Sequence, residues 1–307
     1  MIICCGEALI DMLPRLSDAG EKVYLPVSGG SIFNTAIALG RLGDPVGFIS
    51  SISTDQFGRQ LVESLKDSGV EHRFCVYSDR PTTLAFVQLL NGNAEYSFYD
   101  EKSAGRMFGV GDLPDLSPDI STLHFGAISL VSEPCGSTYE TLMAREAGRR
   151  VISVDPNIRP RFITNDEMHR ARIQRMIGLS DIIKVSDEDL AWIELDKTPR
   201  LAIENWLERG ASVVLLTHGA EGAAAYTRSQ EISVASEPMN VVDTVGAGDA
   251  FSAGFLSGLR QQGLLSKKSI LDISRDSLEF SLQRAVKVAA LTVAKTGANP
   301  PWKDEIF

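Results

Sequence analysis

The stretch VVDTVGAGDAF, residues 241–251, places Gly246, Ala247 and Gly248 directly before Asp249 and the start of an apolar segment. Small residues leave the N–H groups at a helix N-terminus uncovered, and these donors and the helix dipole favour an anion. We expect a carboxylate placed there to be held in its ionised form. If the anion is a phosphoryl group in transfer, Asp249 is placed to act as base for an attacking hydroxyl. By composition alone, a glycine-rich turn with a helix-start aspartate explains the stretch equally well.

The segment after Asp249 has a regular pattern of small residues. Ala250, Gly254 and Gly258 recur at every fourth position, so they share one face of a helix predicted over 249–262. Such a face would let the helix lie close to a sheet. The chain contains no G-x-x-x-x-G-K-[ST] sequence, which excludes a P-loop kinase.

Short apolar runs alternate with helical patterns along most of the chain. Continuous apolar strands separated by helices predict an α/β fold with a doubly wound, mostly parallel sheet covered on both faces. The strand candidates are 2–5, 46–50, 122–127, 151–155, 181–185 and 212–217. The helix candidates are 34–42, 56–68, 134–149, 166–178, 199–209, 249–262 and 278–295.

Two regions break this alternation. Residues 82–100 hold two strand-like runs around Asn91-Gly92-Asn93, a turn sequence that favours a hairpin, and KVYLPV at 22–27 is another short strand candidate. We predict one α/β domain over 1–307, with a small β-sheet lid formed by insertions at about 12–28 and 80–102. A small two-sided sheet cannot bury itself alone, so this lid would suit a homodimer.

The composition narrows the class of partner. The 307 residues carry a net charge of −10, which argues against nucleic acid or an anionic membrane as the main partner. No apolar run approaches the ~20 residues that span a bilayer, and the N-terminal stretch lacks a signal-peptide pattern. The cysteines show no metal-binding spacing and predict reduced, buried thiols: Cys4, Cys5, Cys75 and Cys135. We expect a cytoplasmic protein.

Several blocks of the sequence together resemble one family. DTVGAGDAFSAGFL, residues 243–256, resembles the C-terminal signature of the PfkB, or ribokinase-like, family of sugar and nucleoside kinases. GGSIFNTAIALGRLG, residues 29–43, is similar to the N-terminal motif of that family, although Ile32 stands where Gly, Ala or Pro is usual. STDQFGRQL, VDPNIRP, KVSDEDL and THGAEG match further family blocks in order. The resemblance covers nearly the whole chain and implies the fold of that family.

The resemblance implies a role for each matching residue. Asp249 would take the proton from a sugar hydroxyl, and the γ-phosphoryl group of ATP would lie in an anion hole formed by the amides of Gly246, Ala247 and Gly248. The sugar hydroxyls would be bound by Asp11, Gly30 and Asn34. The resemblance also implies Mg²⁺ as cofactor, with a monovalent cation such as K⁺ as a further candidate.

Two blocks would serve the nucleotide. The resemblance implies that Thr217, Gly219 and Gly222 line the nucleotide site, although T-x-G-x-x-G alone also describes a plain turn after a strand. In KVSDEDL, Ser186 and Asp189 stand where many relatives have Asn and Glu near the metal and phosphates. Both can orient metal-bound water, and Asp189 is the metal candidate. An acidic helix start with Ser186 as N-cap is an equally good interpretation.

The substrate is predicted from fewer residues. YSFYDEKSAGRMF (96–108) and LHFGAISLVSEP (123–134) look most like bacterial fructokinases of this family. In ketogluconate kinases an arginine follows the lid aromatic by two positions, whereas Phe98 is followed by Asp100, whose charge should repel an acid sugar. Arg159 would reach substrate or phosphate, or form a surface ion pair.

These observations lead to a specific expectation, with rivals. We expect an ATP-dependent kinase that converts fructose to fructose 6-phosphate. The rivals are a 2-keto-3-deoxygluconate kinase or ribokinase of the same family, and a non-catalytic sugar-binding or regulatory relative. No shared spacing links His72, His124, His169 and His218, so we expect none of them to be catalytic.

Overall fold

The computed structural model describes residues 1–90 and 93–306. Its strands are β1 (Ile2–Cys5), β2 (Leu9–Leu16), β3 (Lys22–Gly29), β4 (Val46–Ile49), β5 (Ser51–Ser53), β6 (Val76–Ser78), β7 (Leu84–Leu90), β8 (Asn93–Tyr99), β9 (Thr122–Gly126), β10 (Val151–Asp155), β11 (Ile182–Ser186), β12 (Val213–Thr217), β13 (Ala223–Tyr226) and β14 (Glu231–Val234). Its helices are α1 (Ser31–Arg41), α2 (Gln56–Asp67), α3 (Cys135–Glu146), α4 (Asp166–Ile177), α5 (Asp187–Ile193), α6 (Pro199–Glu208), α7 (Ala247–Gln261) and α8 (Arg275–Val293).

A large sheet forms the centre of the fold, in the strand order β14-β13-β12-β11-β10-β9-β1-β4. Its strands pair in parallel from β4 to β12, whereas β13 and β14 add an antiparallel edge. This confirms the expected mostly parallel α/β sheet. Because parallel strands end on the same side of a sheet, the loops that follow them meet at one edge.

Both faces of this sheet are buried under helices, as continuous apolar strands predict. Successive side chains of a strand point to opposite faces. In β1, Ile2 and Cys4 pack into one core with side chains of α1, α7 and α8. Ile3 and Cys5 pack into the second core with side chains of α3, α4 and α6. The sheet therefore lies between two helix layers.

A second sheet, in the order β3-β2-β7-β8, contains the segments that break the alternation of strands and helices. The pairs β2–β3 and β7–β8 are antiparallel, and β2 pairs with β7 in parallel. Tyr24 and Tyr99 each pack edge-on against Phe86, with ring centroids 5.0 and 5.4 Å apart. The predicted turn at Asn91-Gly92 lies outside the described residues.

The sequence located the long elements better than the short ones. Core strands and long helices occur where they were predicted, although α1 begins at Ser31 rather than at 34. The short strands β5, β6, β13 and β14 were not predicted, since three or four residues give too little periodicity to detect. The antiparallel edge of the large sheet was therefore missed.

Two of the three small residues of α7, Gly254 and Gly258, face α8 and not the sheet that was expected there. A Cβ on Gly254 would lie 2.8 Å from Cα of Ala285, and a Cβ on Gly258 would lie 2.8 Å from Cα of Ser281. Both neighbours belong to α8. The two glycines therefore allow α7 and α8 to pack with their backbones close together.

The structure bears on two expectations, one about the cysteines and one about membrane-spanning helices. All four cysteines are free and buried. Burial raises the pKa of the Cys75 thiol to about 12, so this thiol stays protonated at neutral pH. Among the described residues, no helix combines the length and the apolar character needed to cross a membrane.

Candidate active site

Several candidate residues lie where parallel strands end. β10 ends at Asp155, β11 at Ser186 and β12 at Thr217, and Ser186 pairs with Thr217 in the register of β11 and β12. Open α/β sheets bind their ligands at this carboxyl edge. The sheet therefore brings together residues from blocks that are far apart in the sequence.

Asp249 occupies the third position of α7 and is 7% exposed. Both of its carboxylate oxygens accept hydrogen bonds from the beginning of α1. Ser31 Oγ donates to Oδ1 over 2.6 Å, and Asn34 Nδ2 donates to Oδ2 over 2.9 Å. Thr35 Oγ1 also donates to the main-chain oxygen of Asp249 over 3.3 Å. The N-termini of α1 and α7 therefore meet at this carboxylate.

Opposing effects set the charge of Asp249. Burial raises its pKa to about 6, although the hydrogen bonds from Ser31 and Asn34 favour the ionised form. Asp155 raises the pKa of Asp249 further, and Lys184 lowers it. The donors at the helix N-terminus do not bring this pKa below its ordinary value, because desolvation outweighs them. A carboxyl with this pKa is ionised at neutral pH and accepts a proton more readily than an ordinary aspartate.

Asp243 holds the turn that precedes α7. Its Oδ1 accepts a hydrogen bond from the Val245 amide over 3.0 Å, and its Oδ2 accepts one from the Gly297 amide over 2.9 Å. Gly246 caps the helix in the left-handed region, with φ 79°. A Cβ at this position would lie 2.7 Å from that of Ala298, so glycine is required here for the fold itself.

The three amides predicted to form an anion hole are not equivalent. The Ala247 amide donates to the Thr244 carbonyl over 3.3 Å. Within the described chain, the amides of Gly246 and Gly248 donate no such hydrogen bond and remain available to an anion. A Cβ on Gly248 would lie 3.1 Å from Nζ of Lys184, so the first turn of α7 passes close to a buried ammonium group.

The glycine pair before α1 is required by close contacts. A Cβ on Gly29 would collide with the carboxylate of Asp11. Gly30 has φ 109°, which favours glycine, and a Cβ there would lie 2.9 Å from the carbonyl oxygen of Glu7. These contacts bring the beginning of α1 against β2, so the structure places Asp11, Gly30 and Asn34 in one region.

Ile32, which departs from the family pattern, fills space between two glycines. The side chain is fully buried. A Cβ on Gly6 would lie 2.5 Å from Cγ1 of Ile32, and a Cβ on Gly126 would lie 3.2 Å from its Cδ1. Gly6 and Gly126 therefore accommodate a side chain larger than the family usually has at this position.

Two more carboxyl groups lie near Asp249. Glu7 is buried and accepts hydrogen bonds from the amides of Ile32 over 3.4 Å and Ser129 over 3.3 Å. Burial raises the pKa of Glu7 to about 7. Burial, with a contribution from the charge of Asp249, raises the pKa of Asp11 to about 6. Binding of a polar ligand that donates hydrogen bonds would therefore relieve unfavourable charge at this site.

A buried ion pair lies beneath this region. Nζ of Lys184 lies 2.9 Å from Oδ2 of Asp155, and the two side chains are 8% and 2% exposed. Ser252 Oγ donates to the same Asp155 oxygen over 3.3 Å. Burial would lower the pKa of Lys184, but the charges of Asp155, Asp189 and Asp249 raise it above its ordinary value. The ammonium therefore stays charged and offsets the surrounding carboxylates.

Ser186 and Asp189 have structural partners of their own. Ser186 caps α5, and its Oγ accepts a hydrogen bond from the Asp189 amide over 3.1 Å. Asp189 Oδ1 accepts one from the Ile158 amide over 2.8 Å. Burial, with a contribution from Asp155, raises the pKa of Asp189. The N-cap interpretation of Ser186 is therefore correct.

The described residues contain no cluster of three or more His, Cys, Asp or Glu side chains that would form a metal cage. Mg²⁺ usually binds through one or two carboxylates together with waters and substrate phosphates. One oxygen of Asp155, Oδ1, is buried without a hydrogen-bond partner, close to Asp189. These donors fit a metal that arrives with the phosphates of a nucleotide.

The segment THGAEG forms a turn between β12 and β13. Thr217 ends β12, and Gly219 has φ 56°. Gly222 has φ 112°, and a Cβ on it would collide with the main-chain oxygen of Val234 in β14. The structure therefore places these three candidates at the carboxyl edge, and the antiparallel hairpin after them accounts for Gly222.

A cavity of about 740 Å³ lies beside the second sheet. Its lining includes Glu7, Phe98, Arg106, Ser129 and Phe162, but not Asp249. The rings of Phe98 and Phe162 meet with their centroids 4.3 Å apart at an interplanar angle of 61°. The predicted lid aromatic therefore closes one side of this cavity.

Asp100 also lines the cavity, but its charge is paired. Arg106 Nη1 lies 3.0 Å from Oδ1 of Asp100, and Ser132 Oγ donates to Oδ2 over 3.1 Å. Asp100 is therefore not the isolated charge on which the expected repulsion of an acid sugar depends. Sequence analysis did not identify Arg106, which lies six positions after Asp100.

His169 lines the cavity, and the charge of Arg159 opposes the rise in the pKa of Asp189. Arg159 is exposed, and its guanidinium donates to the carbonyl oxygen of Ile158 over 2.9 Å. Burial lowers the pKa values of His124 and His169 to about 4, so both are neutral at neutral pH. His218 Nδ1 lies 3.0 Å from Asp187 at the surface.

Sequence reasoning missed several residues that the structure brings to the site. Ser31, Glu7, Asn157, Asp155 and Lys184 all lie within or next to blocks that were noticed for other residues. Asn157 Nδ2 donates to Ser31 Oγ over 2.9 Å. A lysine within an otherwise apolar strand, followed by an acidic helix, is the signal that could have identified Lys184.

Comparison with known proteins identifies the family to which this chain is similar. The family model described as "pfkB family carbohydrate kinase" matches residues 1–305. A fructokinase of Rhizobium leguminosarum bv. trifolii is 54% identical over 278 residues, which cover 91% of this chain and 85% of that protein. Fructokinase-1 of Oryza sativa subsp. japonica is 32% identical over 319 residues, which cover 100% of this chain and 95% of that protein.

A solved structure is similar over the same extent. The crystal structure of a fructokinase with bound ATP from Xylella fastidiosa matches with a TM-score of 0.92 and 31% sequence identity. The match covers 99% of this chain and 96% of that one. The likeness therefore includes both the large sheet and the second sheet.

Proposed function

Since the chain belongs to the pfkB family of carbohydrate kinases, we propose that it is a fructokinase, which transfers the γ-phosphoryl group of ATP to D-fructose and forms fructose 6-phosphate. The observation that carries the proposal is the buried carboxylate of Asp249, which is fixed by Ser31 and Asn34 at the beginning of α7. The high identity to a fructokinase supports the choice of sugar.

The reaction assigns a role to Asp249 and its neighbours. The 6-hydroxyl oxygen of fructose attacks the γ-phosphorus, the bond from that phosphorus to the β–γ bridging oxygen breaks, and ADP leaves. The hydroxyl proton passes to Asp249, whose raised pKa makes it a suitable acceptor. The amides of Gly246 and Gly248 stabilise the negative charge on the phosphoryl oxygens.

The remaining site residues bind the two substrates. We assign the sugar hydroxyls to Asp11, Gly30 and Asn34, of which Asn34 donates to the Asp249 carboxylate, and we assign one wall of the sugar site to Phe98. Asn34 already donates to Asp249, so its amide would orient base and sugar together. Arg159, exposed at the end of its block, is assigned to the phosphates.

The nucleotide is assigned to the carboxyl edge of the large sheet, beside Ser186, Thr217, Gly219 and Gly222. When bound with ATP, Mg²⁺ supplies positive charge that neutralises the phosphates. Asp189 would hold it through a water. A requirement for a monovalent cation such as K⁺ belongs to the same proposal, as does a cytoplasmic location.

We assign a lid function to the second sheet, which adjoins the cavity through Phe98 and Asp100. Closure of such a lid would exclude water and prevent hydrolysis of ATP. The exposed apolar side chains of this sheet also support a homodimer through the lid. They are Leu16, Val23, Tyr24, Leu25 and Tyr99.

A substrate screen tests the proposal. ADP release would be followed by a coupled assay with fructose, mannose, glucose, ribose, ketogluconate and adenosine, each with Mg·ATP. Fructose should give the highest kcat/KM. A tenfold advantage of ketogluconate or ribose would contradict the choice of sugar. Sugar binding without ADP release for any of them, measured by calorimetry, would instead indicate a non-catalytic relative.

A further inference from the structure

Asp249 is contacted by a hydroxyl whose effect on the charge of the base the proposed function does not define. Ser31 is the first residue of α1, and its Oγ lies 2.6 Å from Oδ1 of Asp249. Asn34, one helical turn later, donates to the other oxygen over 2.9 Å. Residues three apart lie on the same face of a helix, so α1 presents one donor to each oxygen.

Asn157 determines the direction of the Ser31 hydroxyl. Its Nδ2 lies 2.9 Å from Ser31 Oγ, and an amide nitrogen only donates hydrogen bonds. Ser31 Oγ must therefore accept from Asn157. A serine hydroxyl has a single proton, and the proton of Ser31 is left to point at Asp249. Three side chains thus form a directed chain in which Asn157 donates to Ser31 and Ser31 donates to Asp249.

The backbone supports Asn157 in this position. Asn157 has φ 43°, a left-handed conformation that non-glycine residues rarely adopt and that asparagine tolerates best. It follows β10, immediately after Asp155 and Pro156. The chain of donors therefore connects the carboxyl end of β10 with the beginnings of both α1 and α7.

We propose that Ser31, oriented by Asn157, is a positioning residue that keeps the carboxylate of Asp249 ionised and fixes the oxygen that accepts the sugar proton. This inference rests on the proposed function for the identity of the base. It adds two residues, from two separate blocks of the sequence, to the machinery that prepares that base. Neither residue is required to touch the substrate.

Other charged groups face Asp249 and define what the Ser31 hydrogen bond has to oppose. Three carboxyl groups interact unfavourably with an ionised Asp249: Asp155 at the end of β10, Glu7 in the loop between β1 and β2, and Asp11 within β2. Lys184, from β11, acts in the opposite direction. With more carboxyls than ammonium groups around it, Asp249 depends on its uncharged donors to remain ionised near neutral pH.

The test is a titration of the Asp249 carboxyl that needs no sugar. Protein labelled with ¹³C at the aspartate side-chain carboxyl would be titrated by NMR, and the Asp249 signal identified by its absence in Asp249→Asn. Ser31→Ala should raise the midpoint by about one pH unit, since hydrogen bonds to a charged group contribute roughly one to two pKa units. Ser31→Thr, which keeps the hydroxyl, should leave the midpoint within about 0.3 units of wild type.

A second variant tests the direction of the chain. Asn157→Asp offers an acceptor in place of a donor, so the Ser31 proton would turn away from Asp249. The midpoint should then rise at least as far as in Ser31→Ala. A Ser31→Ala midpoint that equals wild type, or an Asn157→Asp midpoint that does not move, would overturn the proposal, whatever either variant does to thermal stability.

The pH dependence of kcat provides a second measurement of the effect of Ser31 on Asp249. In Ser31→Ala, the low-pH limb of the kcat–pH profile should shift to higher pH by the same amount as the NMR midpoint. In Ser31→Thr, this limb should lie at the wild-type pH. If no sugar is phosphorylated by the wild-type protein, the proposed function fails, while the titration still decides the role of Ser31.

Discussion

Nζ of Lys184 lies 2.9 Å from Oδ2 of Asp155, and both side chains are almost completely buried beneath the first turn of α7. Two buried charges are tolerated only as a pair, because either charge alone would remain desolvated without compensation. The pair joins β10 to β11 at the edge where the candidate nucleotide residues lie. It therefore connects the stability of the sheet with the electrostatics of the site.

The first prediction distinguishes the loss of one charge of this ion pair from the loss of both charges. Lys184→Met should cost about 3–5 kcal/mol of unfolding free energy, because Asp155 is left as an unpaired buried charge. Adding Asp155→Asn should recover at least about 1 kcal/mol, since the remaining groups are neutral. Urea unfolding of the two single variants and the double variant measures this coupling.

Lys267 provides a matched control. It pairs with Asp181 over 2.7 Å but is one-third exposed (33%). Lys267→Met should cost less than Lys184→Met, because solvent reaches Lys267 and partly screens its pair, although Asp181 is only 10% exposed. A double variant no more stable than Lys184→Met would contradict the pairing argument.

The second prediction concerns the pH dependence of stability. The pKa of Asp11 is about 6 in the folded protein, above its ordinary value of 3.8. The folded state therefore binds this proton more tightly than the unfolded state, and stability is lost as pH rises through 6. Asp11→Asn removes that loss. We compare the unfolding free energy of Asp11→Asn with that of wild type at each pH. This difference should be more favourable to the variant at pH 8 than at pH 4, by on the order of 1–3 kcal/mol.

Unfolding by urea at the two pH values measures the effect in the absence of ligands. Asp18→Asn, at an exposed loop aspartate shortly after β2, is the control and should show no such change. A stability difference between wild type and Asp11→Asn that does not depend on pH would contradict the argument.

The third prediction concerns the substrate. Asp100→Asn removes the carboxylate that pairs with Arg106 and leaves the guanidinium without its charged partner in the cavity. A carboxylated sugar would then find a cation where wild type offers a neutral pair. The ratio of kcat/KM for ketogluconate to kcat/KM for fructose should rise by roughly tenfold or more.

Asp79→Asn is the matched control, since Asp79 is an exposed aspartate outside the cavity. The coupled assay with both sugars measures the ratio. If Asp100→Asn leaves it unchanged, Arg106 does not contribute to the choice of sugar.

The sequence was sufficient for the fold and for the residues inside continuous motifs. Long apolar strands and helices have a strong periodic signal, and Asp249 and Asn34 belong to blocks with a fixed pattern. Asn157, Lys184 and Arg106 could not be predicted in the same way. Their importance comes from partners that lie distant in sequence or on another element, and periodicity contains no information about such contacts.

Two residues have structural roles that the sequence does not reveal. Gly246 was interpreted as a small residue that leaves its amide uncovered for a phosphate. Its φ of 79° and its close contact with Ala298 also require glycine for the fold. A Gly246→Val variant would therefore disturb the beginning of α7 and not only phosphate binding. Asp100 was considered without its counterion, because a sequence does not show which charges are neighbours.

The fourth prediction concerns the proposed homodimer. Leu25 lies in β3 and is 48% exposed on the second sheet. If that sheet is the dimer interface, Leu25→Glu would bury a charge on each side and should convert the dimer to a monomer. Leu201 of α6 is 47% exposed outside this sheet, so Leu201→Glu is a closely matched control.

Sedimentation of wild type and both variants over a range of concentrations measures the assembly. A wild-type monomer, or a Leu25→Glu dimer, would exclude the lid as interface. Equal dissociation by both variants would indicate a general loss of stability.

The last prediction concerns Asp249 as base. Asp249→Asn keeps the shape of the side chain and removes its basicity, so kcat should fall by roughly 10²–10⁴. Asp249 must be ionised to accept a proton, and its pKa is about 6, so wild-type kcat should decline as pH falls through 6. Thermal melting should show a folded variant, because asparagine can accept from Ser31 through its own oxygen. Asp276→Asn, at an exposed aspartate in the first turn of α8, is the control and should retain full activity. A folded Asp249→Asn enzyme with more than about a tenth of wild-type kcat would defeat the assignment, because a positioned general base contributes far more than that.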